Sequence, residues 1–101
     1  MDLKELTYET MLPHVGSTFR IEFADRTLEL ELVRVDMLRE KHTSKRLNRD
    51  SFALIFRGPN DVMLRQGTYP LDHAILGPKV PIFIVPLARE EEGVHYEAIF
   101  T

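Results

Sequence analysis

The stretch 52–85 constrains this chain most. It reads FALIFRGP, then QGTYPLDHAILGP, then PIFIVP, so short apolar runs alternate with Gly-Pro and Gly-Thr punctuation. Runs this short, rich in Ile, Val, Phe and Tyr and closed by turn residues, are strand material. They predict a compact antiparallel β domain and contain no recognisable catalytic constellation.

The same two-residue rhythm extends through the chain. Phe19, Ile21 and Phe23 alternate with Arg20 and Glu22, and Leu28, Leu30 and Leu32 alternate with Glu29 and Glu31. Each is the pattern of a half-buried strand, and the tight Ala24-Asp25-Arg26 connection makes them a hairpin. At Leu32-Val33 the apolar phase slips by one residue, to Val33, Val35 and Met37. A slip of that kind marks a β-bulge, and bending is what a small sheet needs to curl up. Further strands are expected over 51–57, 67–73, 80–85 and 94–100, with 62–64 a short strand or an irregular link. Pro70 lacks an amide hydrogen, which pushes its strand toward an edge. Residues 72–77 read as a tight helical turn closed by Gly77, and 89–93 as an acidic hairpin loop.

Before the first strand, Tyr8, Met11, Leu12 and Val15 fall at helical spacing, with Thr7 able to cap the start. Pro13 disfavours helical geometry at Leu12, so a short helix within 3–12 is expected, laid on an open end or face of the sheet. The expectation is one all-β, mainly antiparallel domain over 1–101: a small six- to seven-stranded curled sheet or barrel with a short N-terminal helix. Several strands carry apolar residues on both faces, so the face away from the core should be covered by the N-terminal segment or by another protein.

Composition excludes some classes. At 101 residues the chain holds one domain, and its formal charge of -3 is too mild for a general nucleic-acid or membrane glue. It has no cysteine, so disulfide staples and thiolate metal sites are out. The opening MDLKELTYETML shows no basic region followed by an apolar stretch, and no apolar run approaches the ~20 residues that span a bilayer. A cytoplasmic protein without membrane association is the expectation.

Taken together, the segments 52–59 (F-x-L-x-F-x-G-P), 66–77 (Q-G-T-Y-x-L-x-H-x-x-L-G), the F-I-V-P run at Phe83, Y-E-A-I-F at 96–100 and Pro13-His14-Val15-Gly16 followed by Phe19 are distinctive in their order. In these segments the chain resembles a family of small bacterial proteins known only as a domain of unknown function. The resemblance spans nearly the whole chain except 39–50, which reads as a variable insert. It implies a small β domain and a loose association with phage-tail-like collar proteins, and it brings no activity and no catalytic residue.

Candidate chemistry is sparse. No pair among His14, His42, His73 and His95 has the spacing of a helical or strand metal site, although His73 with His95 and Glu97 could assemble from distant segments. Tyr69, His73, Tyr96 and Glu97 come nearest to an acid–base set, but Glu97 lies on the phase opposite Tyr96. Ser17 and Ser51 read as strand entrances rather than nucleophiles, and Gly58 and Gly77 lack any phosphate-loop arrangement. No catalytic residue, metal site or cofactor is assigned.

Two charged segments stand out. Residues 39–49 carry Arg39, Lys41, Lys45, Arg46 and Arg49 against Glu40, a basic loop suited to phosphate or to an acidic protein face. Glu90-Glu91-Glu92 carries the opposite sign and could pair with the basic loop of a second copy. The functional expectation is a non-enzymatic binding or assembly module that docks on a protein partner. Its contacts would be Ile55 and Phe83 on the outer face plus the basic loop Arg39, Lys41, Lys45, Arg46 and Arg49. Two readings from other classes stay open: a small enzyme with a rim site near Tyr69 and His73, and a nucleic-acid-binding small barrel using the basic loop.

Overall fold

The computed structural model describes residues 3–38 and 51–101. Six strands, β1 (Thr18–Glu22), β2 (Thr27–Met37), β3 (Phe52–Gly58), β4 (Gly67–His73), β5 (Gly77–Glu90) and β6 (Gly93–Phe100), form a closed antiparallel barrel in the order β1-β2-β3-β6-β5-β4. Residues 62–64 are an irregular link. None of the described helices is long and apolar enough to cross a membrane.

Most of the alternating phases point where the sequence places them; Phe23, beyond the end of β1, and Met37, at the end of β2, are exposed instead. Phe19 and Ile21, then Leu28, Leu30 and Leu32, then Phe52, Leu54 and Phe56, and finally Val94, Tyr96 and Ala98 all fill the barrel interior. The slip at Leu32-Val33 is a bulge: Leu32 pairs with Phe56 while Arg34 pairs with Ile55, so Val33 is the extra residue and Val35 turns back inward. Further register shifts lie between Leu71 and His73 and between Pro86 and Ala88. Each adds local bend, and together they let a six-stranded sheet close on itself.

Three expectations need correction. The helix expected within 3–12 is α-helical only over Tyr8–Met11 (α1), flanked by 3-10 turns at Leu3–Glu5 and Leu12–His14. The chain tightens where Pro13 enters, so Leu12 and Val15 turn to solvent instead of continuing the apolar stripe. β5 does not stop at Val85 but continues to Glu90, so the acidic hairpin loop shrinks to a two-residue turn. Pro70 does not mark an open edge. β4 pairs with β5 along its length and meets β1 at Arg20–Asp72. Pro70 lies directly opposite Pro81. At a non-hydrogen-bonded pair neither missing amide hydrogen belongs to the ladder between them, which is how two prolines can face each other inside a sheet.

Thr7 caps α1 as expected and completes a capping box: its hydroxyl accepts from the Thr10 amide, and the Thr10 hydroxyl accepts from the Thr7 amide. Leu6 just before the cap and Met11 at the fourth helical position occupy the two places of a hydrophobic staple. Both are fully buried in the same cluster as the barrel interior, so the N-terminal segment plugs the barrel rather than covering its outer face. Each such side chain contributes roughly 1.5–3 kcal/mol of transfer free energy. Gly16 donates to the Leu32 carbonyl and Leu32 to the Ser17 carbonyl, which ties this segment to β2 beside the bulge.

At the other end of the core, the Tyr96 hydroxyl accepts from the Leu64 amide at 3.0 Å. Burial raises the Tyr96 phenol above its ordinary range. This bond anchors the irregular link after β3, which has no ladder of its own. Tyr96→Phe leaves the Leu64 amide buried without its partner and should cost about 1–3 kcal/mol in urea unfolding, with no change in the m-value. Gly93 presses against β3: a Cβ there would lie 2.2 Å from the Gly58 carbonyl oxygen, at a φ of +143°. Gly93→Ala should therefore destabilise by at least about 2 kcal/mol in the same assay, because a backbone atom cannot swing aside.

Candidate functional site

The outer faces of β3, β5 and β6 carry an apolar surface. Along β5 the inward row Val80, Ile82 and Ile84 is buried, which turns Phe83 outward at 50% exposure. The β4–β5 register sets Thr68 opposite Phe83. Phe83 and Ile99, the latter 57% exposed, line one groove of about 370 Å³ with Leu3, Thr68, Pro81 and Thr101. Ile99 in turn sits opposite Ala53 on β3. Nearer the β5–β6 turn, Leu87 is 52% exposed and shares a second groove with Arg34, Ile55, Ala88 and His95. Phe83 is thus an exposed apolar side chain, whereas Ile55 is almost fully covered on the groove floor. Arg39, Lys41, Lys45, Arg46 and Arg49 lie outside the described residues.

Leu87 escaped the sequence reading because the strand was ended at Val85. The signal that could have found it is the pattern itself, since Val85 and Leu87 keep the outward phase of Phe83 beyond Pro86.

The second groove runs up to a polar tip. Glu90 pairs with Gly93 across the turn, and His95 pairs with Ala88 two steps below. This brings one donor atom each from Glu90, Glu92 and His95 within 4.8 Å of one another. A hydrogen bond to Glu92 and the Glu92 charge hold the Glu90 carboxyl above its ordinary range, and the same bond holds Glu92 below it. A divalent cation placed there would take three protein donors and complete its shell with water. The sequence reading had put His95 with His73 and Glu97. Glu97 instead faces Val85 and Ile55 on the barrel exterior, while the buried His73 ring packs against Phe19 and His14.

His73 is 7% exposed at the end of β4. Its ring lies 4.4 Å from that of Phe19 and 5.0 Å, edge-on, from that of His14. Nδ1 accepts from the amides of Ile75 and Leu76, each at 3.1 Å. A ring nitrogen that accepts carries no proton, so the neutral ring bears its hydrogen on Nε2. Nε2 lies 2.9 Å from the Ser17 hydroxyl and donates to it, and that hydroxyl donates onward to the His14 carbonyl. A serine nucleophile needs a base whose lone pair faces its hydroxyl. Here the lone pair is on the opposite nitrogen, so the pair acts as a structural tie. Burial and the neighbouring His14 charge lower the His73 pKa. Tyr69 is held apart from this group, its hydroxyl donating to the Arg65 carbonyl and its ring packing on Phe23. The inward phase of Tyr96 and outward phase of Glu97 keep those two apart as well.

No curated protein and no solved structure matched the chain in comparisons with known proteins. A family model did match, over residues 6–100, described as a domain of unknown function, DUF6916. That span holds the whole barrel and the Leu6–Met11 plug, and the chain belongs to the DUF6916 family.

Proposed function

We propose that this barrel is a non-enzymatic docking module whose contact surface is the outer face of β5 and β6 with the adjoining strip of β3. The observation that carries the reading is the exposure of Phe83, Leu87 and Ile99, each at least half accessible, on neighbouring strands of a barrel whose core is already filled. Scattered apolar side chains are normal on a surface, but a band of them along one sheet face is the mark of a contact site. Closure of the barrel takes up the strand edges, so contact through the face is favoured over strand addition.

The chemistry of the partner follows from the rim. Glu90, Glu91, Glu92 and Glu97 border the apolar band on β5 and β6. A protein presenting an apolar centre flanked by Lys or Arg is complementary to that arrangement. The association of the resembling family with phage-tail-like collar proteins makes components of such assemblies the first partners to test.

The test is affinity capture from the source cells with the wild-type chain and with a Phe83→Ser, Leu87→Ser, Ile99→Ser triple variant, read by cross-linking and mass spectrometry. The triple variant should keep its stability to within about 1.5 kcal/mol, since each change is at the surface. It should lose at least tenfold of a partner whose cross-links map to β5 and β6. Equal capture by both chains, or cross-links confined to the β1–β2 face, would overturn the reading.

A further inference from the structure

We propose that His73, with Ser17 and His14, forms an acid-released latch that holds the N-terminal plug in the mouth of the barrel. The latch joins three separate elements. His73 ends β4, Ser17 precedes β1, and the His14 carbonyl belongs to the turn that follows α1. The chain of bonds runs from Nε2 of His73 to the Ser17 hydroxyl and on to the His14 carbonyl. Through it the plug bearing Leu6 and Met11 is tied to the β4–β5 turn, a segment far from it in sequence.

The tie holds only in the neutral ring. Both nitrogens are committed, Nδ1 as acceptor of two amides and Nε2 as donor to serine. A proton added to the ring must go to Nδ1, where it meets the Ile75 and Leu76 amide hydrogens head-on. The turn loses its acceptor, and the new cation sits edge-on to His14 with its ring 5.0 Å away. No carboxylate among the described residues compensates it. On β1, Arg20 points outward and pairs with Glu29. On β4, Asp72 points outward and accepts from the Lys79 amide. On β2, Glu31 pairs with Arg57. The one titratable side chain facing His73 from the surrounding elements is His14, which carries charge of the same sign in acid.

The direction of the pH effect follows. Folding lowers the His73 pKa below its ordinary value of 6.5, so the opened state binds the proton more readily than the latched state. Latching is at full strength above that ordinary value. It weakens as pH falls through it, by up to about tenfold in the opening equilibrium per pH unit, until the latched state itself takes the proton. The rest of the barrel has its own core of strand residues, so the plug opens while the strands stay paired. In acid the mouth that Leu6 and Met11 close at neutral pH becomes an apolar opening.

Hydrogen exchange followed by NMR tests this on the intact chain. The Met11 and Val15 amides, which donate to the Thr7 and Leu12 carbonyls, report the plug, and the β3 and β6 amides report the barrel. Between about pH 7.5 and 5.5 the plug amides should lose protection by up to about tenfold, after correction for intrinsic exchange, while the barrel amides keep theirs. His73→Asn supplies an oxygen that can cap the same two amides and does not titrate. In that variant plug protection should be independent of pH. His14→Gln removes the neighbouring charge that lowers the latched-state pKa, so it narrows the gap to the opened state and should reduce the acid loss of plug protection. Constant plug protection in the wild-type chain would overturn the latch. So would loss of plug and barrel protection together, or an unchanged acid response in His73→Asn.

Discussion

Closure of the sheet is the constraint on which everything else in this molecule depends. Six strands of ordinary length have too little area to make two packed sheets, and a flat sheet would leave one apolar face in water. Curling gathers Phe19, Leu30, Leu54, Phe56 and Tyr96 into one buried cluster, with the Phe19 ring edge-on to that of Phe56 at 5.2 Å. The bend is supplied where β2 and, at two places, β5 carry an extra residue, and by the close passage of Gly93 over the Gly58 carbonyl. A barrel built this way has two mouths, and a mouth is where a core leaks.

The chain treats its two weak places differently. One mouth is stopped by Leu6 and Met11, held at the ends of a four-residue helix too short to be stable alone. Such a helix needs tertiary anchors, and it has them in the capping box, the Gly16–Leu32 backbone bonds and the His73–Ser17–His14 chain. The irregular segment after β3 is anchored instead by one buried phenol on a backbone amide. The first set contains an imidazole whose pKa burial lowers, and the second a phenol whose pKa burial raises. The two ends of the barrel therefore respond differently to acid.

The surface divides in the same way. Exposed ion pairs such as Arg20–Glu29 and Arg34–Asp36 contribute little to stability and mark an ordinary solvated exterior. The band formed by Phe83, Leu87 and Ile99 is the exception, and it borders the acidic tip where Glu90 and Glu92 converge on His95. An apolar strip beside concentrated negative charge gives a contact surface with both an affinity component and an orienting one.

Strand identity, the bulge at Leu32-Val33, the Thr7 cap and the inward rows were legible in the sequence, because each is decided by neighbours one to four residues away. The outward phase of Phe83 could be read for the same reason. Leu6 could not, because its burial depends on the barrel mouth it enters and not on the residues beside it. The true length of β5 was hidden too: Pro81 and Pro86 look like terminators until the register shows that a strand can accommodate them. The Ser17–His73 tie and the Glu90–Glu92–His95 tip belong wholly to tertiary structure. Local alternation determined that this chain would be a curled β domain. Only closure of β4 onto β1, across more than fifty residues, decided which nitrogen of His73 carries its proton, because that is set by the groups brought around the ring.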